Sequence, residues 1–235
     1  MCREKILTDN LDRVEKIISL ASQKAVPPAG PVTLMAVTKY AKDQDVLTLV
    51  AAGRLHHVGE SRVQQAYARW TSPVFAKYPV VKHFIGHLQK NKAAKAAALF
   101  DFIDSVDSLT LAETLSHFAV KLGKTLKVLV QVKLTDKDTQ SGLPLGQARV
   151  LAKQIAALPG LAVCGYMAIA PQVQDAQQLR GSFHMLRQAF EEDFPADKER
   201  WLSLGMSADF AVAVEEGSTL PRVGSDIFAR NLEDL

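Results

Sequence analysis

Lys39 closes the apolar run Val32-Thr33-Leu34-Met35-Ala36-Val37-Thr38, and Tyr40-Ala41 follow it. A cation is costly to bury inside a strand, so this lysine is expected to project from the strand's C-terminal end. In a chain that alternates strands and helices, ligands bind at that end. A partly desolvated ammonium there gives up its proton more readily and becomes a nucleophilic amine. Such an amine condenses with an aldehyde to a Schiff base. A solvated lysine closing a strand would look the same in this segment, so other residues must decide.

Three further groups fall where such a mouth would lie. Ser207 follows Gly205-Met206, Ser218 and Thr219 follow Gly217, and Gly224 precedes Ser225. Glycine lets a backbone approach a ligand closely. Free N–H groups at a helix start, with small hydroxyl side chains, can receive a phosphate dianion. In an eight-stranded α/β barrel the phosphate site is often built from the loops after the last two strands. Either loop alone reads better as a helix cap and turn glycines. Both together, opposite a strand-end lysine, favour a phosphate site. Arg222, in Pro221-Arg222-Val223-Gly224, is either a surface residue or a donor aimed into the mouth. In the mouth it could meet the ring nitrogen of a pyridine cofactor. An arginine keeps its proton, so that nitrogen would stay unprotonated and the ring would be a weak electron sink. Glu60, His87 and Met167 also fall near strand ends. Asp209, close to a helix start, reads as a first-turn stabiliser.

The elements that must position these groups are legible as an alternation. Apolar runs at residues 32–39, 56–59, 82–86, 102–106, 127–132, 162–169, 201–204 and 219–223 read as strands. Helical patterns lie between them at 43–52, 61–76, 90–99, 110–122, 145–158, 175–190 and 207–216, the second starting at Ser61 and the last at Ser207 as capping residues. An additional amphipathic helix over 4–24 precedes them, closed by Pro27-Pro28-Ala29-Gly30-Pro31. Strand and helix repeated eight times imply parallel strands and a single (β/α)8 TIM-like barrel with an extra N-terminal helix, one domain over 1–235. A doubly wound open sheet competes, but no GxGxxG follows the first strand. Residues 231–235 are expected to fray.

Composition narrows the function. The chain has 235 residues, 48% of them hydrophobic and 23% charged, with a formal net charge of +3. The charges are dispersed, with no basic block or interleaved aromatic stripe, which argues against nucleic acid. Cys2 and Cys164 are the only cysteines. They offer neither a disulfide framework nor metal spacing, and Cys164 reads as a small core residue. The histidines form no metal motif. No run resembles a signal peptide or reaches transmembrane length, so a cytoplasmic location without membrane association is expected.

Several segments resemble one known family, in the same order and over essentially the whole chain. They are Ala36-Val37-Thr38-Lys39, Gly59-Glu60-Ser61-Arg62-Val63-Gln64, His83-Phe84-Ile85-Gly86-His87-Leu88-Gln89-Lys90-Asn91-Lys92, Gly165-Tyr166-Met167-Ala168-Ile169, Ser203-Leu204-Gly205-Met206-Ser207-Ala208-Asp209, Gly217-Ser218-Thr219 and Arg222-Val223-Gly224-Ser225-Asp226-Ile227-Phe228. Together they are similar to the pyridoxal phosphate homeostasis proteins. The resemblance implies a fold-type III barrel like the N-terminal domain of alanine racemase, with pyridoxal 5′-phosphate (PLP) as cofactor. By the same resemblance Lys39 carries the Schiff base. Ser207, Ser218, Thr219 and Gly224 hold the phosphate, Arg222 faces the pyridine nitrogen and Met167 lies beside the cofactor. The family often has asparagine where Ser61 stands and a small residue where Asp226 stands, and Pro221 is less usual.

The expected function is therefore vitamin B6 homeostasis: a monomeric carrier that stores PLP or passes it to apo PLP-dependent enzymes, with no catalytic residue assigned and no metal. The alternative is a fold-type III enzyme such as an amino acid racemase. Racemisation needs a base on each face of the substrate carbon. In alanine racemase a tyrosine from a second domain supplies one of them, and none of Tyr40, Tyr67, Tyr78 and Tyr166 sits in a matching motif. A sugar-phosphate lyase that uses Lys39 without PLP is a third reading.

Overall fold

The computed structural model describes residues 2–25, 31–135 and 141–229. The proline-rich stretch at 27–30 and the expected fray at 231–235 lie outside the described residues. Eight parallel strands run in the order β7-β6-β5-β4-β3-β2-β1-β8. They are β1 (Met35–Val37), β2 (His57–Glu60), β3 (Val81–Phe84), β4 (Phe102–Val106), β5 (Leu126–Lys133), β6 (Leu161–Ile169), β7 (Trp201–Ser203) and β8 (Arg222–Val223). Since β1 pairs with both β2 and β8, the sheet curls until β7 and β8 meet. No strand ladder joins these two. Instead Leu202 O accepts from the Thr219 and Leu220 amides, and Gly205 O from the Arg222 amide. The Leu202 amide donates to Thr219 Oγ1 and the Leu204 amide to Ser218 Oγ. The result is the expected (β/α)8 barrel, nearly closed.

Successive strand residues point to opposite faces, and this alternation sorts the chain. Leu126, Val128, Val130 and Val132 of β5 face the helices and join the large outer core, while Leu129 joins a small inner cluster with Phe102, Cys164 and Met167. Gly165 makes the shift of register that keeps β6 in step with β5. Its φ is +143°, and a Cβ there would meet Trp201 O at 2.0 Å, so only glycine fits. Cys164 is the small core residue expected. Burial pushes its thiol up to about 11, which keeps it protonated and inert.

The helices are α1 (Arg3–Lys24), α2 (Asp43–Ala51), α3 (Val63–Trp70), α4 (Ala93–Leu99), α5 (Leu109–Lys121), α6 (Leu145–Ala156), α7 (Arg180–Asp193), α8 (Phe210–Glu215) and α9 (Ser225–Phe228). The extra helix α1 buries Leu7, Leu11, Val14, Ile18 and Ala21. It also satisfies the carbonyls at the end of α9: Arg3 donates to Phe228 O and Ala229 O, and Asn10 to Ile227 O. This fixes α9, whose first residues follow Gly224 directly.

Several sequence expectations shift. The helix expected from 207 begins at Phe210, because the Phe210 amide turns back to Met206 O at 2.7 Å. Ser207 is therefore a turn residue and Asp209 takes the cap position. Asp209 serves the turn rather than the helix, accepting from the Met206 amide at 2.6 Å. Similarly, α3 starts after Arg62 and Ser61 does not cap it. Single turns of 3-10 helix precede α4 and α7. The strand expected over 219–223 keeps only Arg222–Val223, because 219–220 are drawn into the β7 junction. The four-residue α9 was not expected; Gly224-Ser225-Asp226 carries its turn chemistry. No helix among the described residues is long and apolar enough to cross a membrane.

Candidate functional site

A cavity of about 530 Å³ opens at the C-terminal ends of β1, β7 and β8, lined by Val37, Lys39, Tyr40, Ile85, Met206, Ser207, Arg222, Gly224, Ser225 and Phe228 among others. Four of the seven residues singled out from the sequence line it: Lys39, Ser207, Arg222 and Gly224. Alternation explains why Lys39 does so. Ala36 belongs to the outer core, Thr38 turns to the Glu60 carboxylate, and Val37 and Lys39 point to the lumen. Lys39 is half-buried, with Nζ 5.2 Å from the centroid of the Tyr40 ring.

The turn that carries Lys39 is clamped from beneath by Arg69, which is buried on α3. Its guanidinium donates to Thr38 O and Ala41 O, both at 2.9 Å, and to Glu60 Oε1 and Asp43 Oδ1, both at 2.7 Å. Glu60 is fully buried; its Oε1 also accepts from Thr38 Oγ1 and Trp70 Nε1, while Oε2 has no partner among the described residues. Gln65 adds a bond to Lys39 O at 3.1 Å. Glu60 is thus a support for the lysine turn and not a mouth residue, whereas His87 is exposed at the mouth.

Arg222 is buried in the barrel lumen. It donates to Ser203 O, Ser203 Oγ and Ala168 O at 2.7–2.8 Å. Those bonds use three of the five guanidinium N–H donors and leave two for a ligand. Burial lowers its pKa to about 10, with Asp104 and Asp209 opposing, so it stays charged at neutral pH. Asp104 belongs to a buried chain: His83 Nδ1 lies 3.1 Å from its carboxylate, and His83 Nε2 lies 2.9 Å from His57 Nδ1. Burial raises the Asp209 carboxyl above its ordinary range, against the pull of the Met206 amide and Arg222.

Two turns face Lys39 across the cavity. Gly205 has φ +88°, and a Cβ there would lie 2.7 Å from Phe210 Cα and Ala213 Cβ. This tight reversal presents Ser207 and Ala208, whose amides find no acceptor among the described residues. At Gly224 a Cβ would come within 2.9 Å of Val37 O. Exposed Ser225 stands beside it; it was not singled out as a ligand, although its place after Gly224 signalled it.

Met167, Ser218 and Thr219 lie outside the cavity wall. Met167 is in the inner cluster. Ser218 Oγ, with one proton to give, lies 2.8 Å from Leu204 O and 3.1 Å from Leu202 O, and Thr219 Oγ1 accepts from the Leu202 amide.

The alanine racemase N-terminal domain family matches residues 10–231. A pyridoxal phosphate homeostasis protein of Pasteurella multocida is 34% identical over 229 residues, 94% of this chain and 96% of that one. A crystal structure of an unknown protein from Bifidobacterium adolescentis superposes with a TM-score of 0.85 at 33% identity, covering 96% of both chains. PipY of Synechococcus elongatus, solved with PLP bound, gives 0.76 at 36% identity over 84% of this chain and 92% of its own.

Proposed function

The chain belongs to the pyridoxal phosphate homeostasis protein family, built on a barrel of the alanine racemase N-terminal domain type, and from that premise we propose that it binds PLP in the cavity at the ends of β1, β7 and β8, with Lys39 holding the cofactor as a Schiff base. The observation that carries this reading is the convergence of a half-buried lysine, a buried arginine and two glycine turns on one cavity. The residues fit the cofactor at three points. Lys39 meets the aldehyde. Arg222, with two donors to spare, meets the pyridine nitrogen. Ser207, the Ser207 and Ala208 amides and the Gly224-Ser225 turn take the phosphate, and glycine at 224 lets that turn lie against Val37 O, which a Cβ would meet at 2.9 Å.

Ser218, Thr219 and Met167 enter the proposal one layer back. The two hydroxyls tie β7 to the segment before β8 and so keep the phosphate turns together, and Met167 fills the lumen beside Arg222's acceptor at Ala168. When bound, PLP supplies an aldehyde carbon that primary amines can trade. In this reading 1–235 is one barrel domain, a cytoplasmic monomer that stores the cofactor or hands it to apo enzymes.

Racemase turnover is the reading we set aside. It needs a second base on the opposite face. Tyr40 is the tyrosine that lines the cavity, but Lys39 Nζ rests over its ring face, and the two come from consecutive residues. The Tyr166 hydroxyl is committed to Asp193 at 2.7 Å.

The test is a visible spectrum of the purified protein given PLP, then borohydride reduction and peptide mapping. A yellow protein with the reduced adduct on Lys39, lost in Lys39→Ala, is expected. A protein that stays colourless refutes the reading, and an adduct mapped elsewhere refutes the assignment of Lys39. Incubation with L- or D-alanine in heavy water should leave the α-proton unexchanged.

A further inference from the structure

A second cavity, of about 400 Å³, opens at the ends of β2 and β3, with Ser61, Arg62, Gln65, His87, Leu88 and Lys92 in its wall. We infer that it is a carboxylate site for the amine that exchanges with Lys39, and that this amine is an α-amino acid. The inference rests on PLP being held at Lys39.

The charge pattern is the first argument. Arg3, Arg54, Arg69, Arg149, Arg180 and Arg200 all have a carboxylate partner. Arg62, His87 and Lys92 have none among the described residues, and no acidic side chain lines the cavity. Two cations, Arg62 and Lys92, with the His87 imidazole beside them on a concave surface, recognise an anion.

Position is the second argument. Tyr40, in the wall of the first cavity, links the two, with Lys39 Nζ at 5.2 Å and the Arg62 guanidinium at 5.9 Å from its ring centroid. The strand order β8-β1-β2-β3 puts this cavity on the far side of Lys39 from the phosphate turns. An anion here accompanies the group arriving at Lys39 and does not compete for the cofactor's phosphate. The cavity is also rigidly built. A Cβ at Gly86 would meet Ser61 O at 2.4 Å, so the β2 and β3 turns are in backbone contact, and Ser105 Oγ donates to Gly86 O at 2.5 Å.

The exchange is redox-neutral. The incoming amine forms the new C=N bond, the bond from Nζ to the same carbon breaks, and the two protons lost by the incoming nitrogen end on Nζ. A carboxylate held by Arg62 and Lys92 raises the local concentration of that amine without taking part.

Two measurements test the site. In cofactor-free protein, titration with glycine should shift the His87 ring resonances, titration with methylamine should not, and Arg62→Gln with Lys92→Gln should remove the response. In PLP-loaded protein, the adduct trapped on Lys39 by borohydride is followed during incubation with L-alanine or ethylamine at equal free-base concentration. L-Alanine should displace Lys39 about 3- to 10-fold faster, a modest ratio because the cations are solvent-screened. The double variant should bring the ratio near 1. Equal rates in the unaltered protein overturn the carboxylate site and leave PLP binding standing. Inorganic phosphate shifting His87 while the amines exchange equally marks an unselective anion patch and also overturns it. Failure to form any adduct refutes PLP at Lys39 instead, and the glycine titration then decides the site alone.

Discussion

Replacing Arg69 with methionine should both destabilise the barrel and misplace Lys39. The guanidinium is buried and faces a fully buried Glu60 at 2.7 Å, while holding the carbonyls on either side of Lys39. Breaking a buried ion pair by removing one partner costs about 3–5 kcal/mol. The two carbonyls each lose a bond worth about 1 kcal/mol, but water can reach part of this turn, and such terms do not simply add. The Asp43 bond contributes little, because that carboxylate is two-thirds exposed. A loss of about 4 kcal/mol is expected, which lowers the urea midpoint by about 2 M at a slope of about 2 kcal/mol/M. Arg69→Lys should not rescue it, since one ammonium cannot reach four acceptors as a planar fork does. The assay is a double-mutant cycle with Glu60→Gln, combined with the rate of PLP adduct formation at Lys39. The double variant should be less costly than the two single losses combined by about 2 kcal/mol or more. Additivity within about 0.5 kcal/mol would refute the pairing argument, and an adduct rate unchanged in Arg69→Met would refute the link to Lys39.

Ser207→Ala should weaken PLP roughly 10-fold or more, the value of a charge-assisted hydrogen bond, and leave pyridoxal, which lacks the phosphate, unaffected. Thr219→Val, by contrast, should cost about 1–2 kcal/mol of stability and change both affinities alike; a loss selective for PLP would make Thr219 a direct ligand. Gly205→Ala should destabilise the protein by about 2 kcal/mol or more and weaken PLP, since the new Cβ has to enter both a left-handed conformation and the start of α8; unchanged melting would refute the role given to this turn. His57 titrates at about 4 rather than 6.5, chiefly because its half-buried ring is desolvated and secondarily because it faces His83. The unfolded chain therefore binds the extra proton, and the contribution is present above pH 6.5 and lost between 6.5 and 4. On the order of 2 kcal/mol is at stake after allowance for solvent screening. Urea midpoints of His57→Gln should show a flatter pH dependence across that window than the unaltered protein, and parallel curves would refute the assignment.

The barrel was readable because its cues are local. Period-2 runs, helical spacing and glycine stops each depend on neighbours within a few residues. The same periodicity explains why Lys39 reaches the lumen: it lies two residues beyond Val37, on the same face of the strand. The turn chemistry around Gly205 and Gly224 is local too. Registration between distant segments is not. Ser218 and Thr219 sit beside a glycine, as Ser207 does, yet their hydroxyls are drawn to the backbone of Leu202 and Leu204 by the junction of β7 with β8. Glu60, which ends a strand, reads from the sequence equally as a mouth residue or as a structural hydrogen-bonder. The face it presents depended on where α3 would place Arg69 and Trp70. The chain of His57, His83 and Asp104 joins three separate strands inside the lumen. Residue type and spacing determined by themselves that Lys39 and two glycine turns would stand at the ends of parallel strands, and left Arg222 open between surface and mouth. Only the tertiary structure decided which polar groups were left free to meet a ligand, because a buried donor or acceptor is claimed by whichever partner the closing of the barrel brings within about 3 Å.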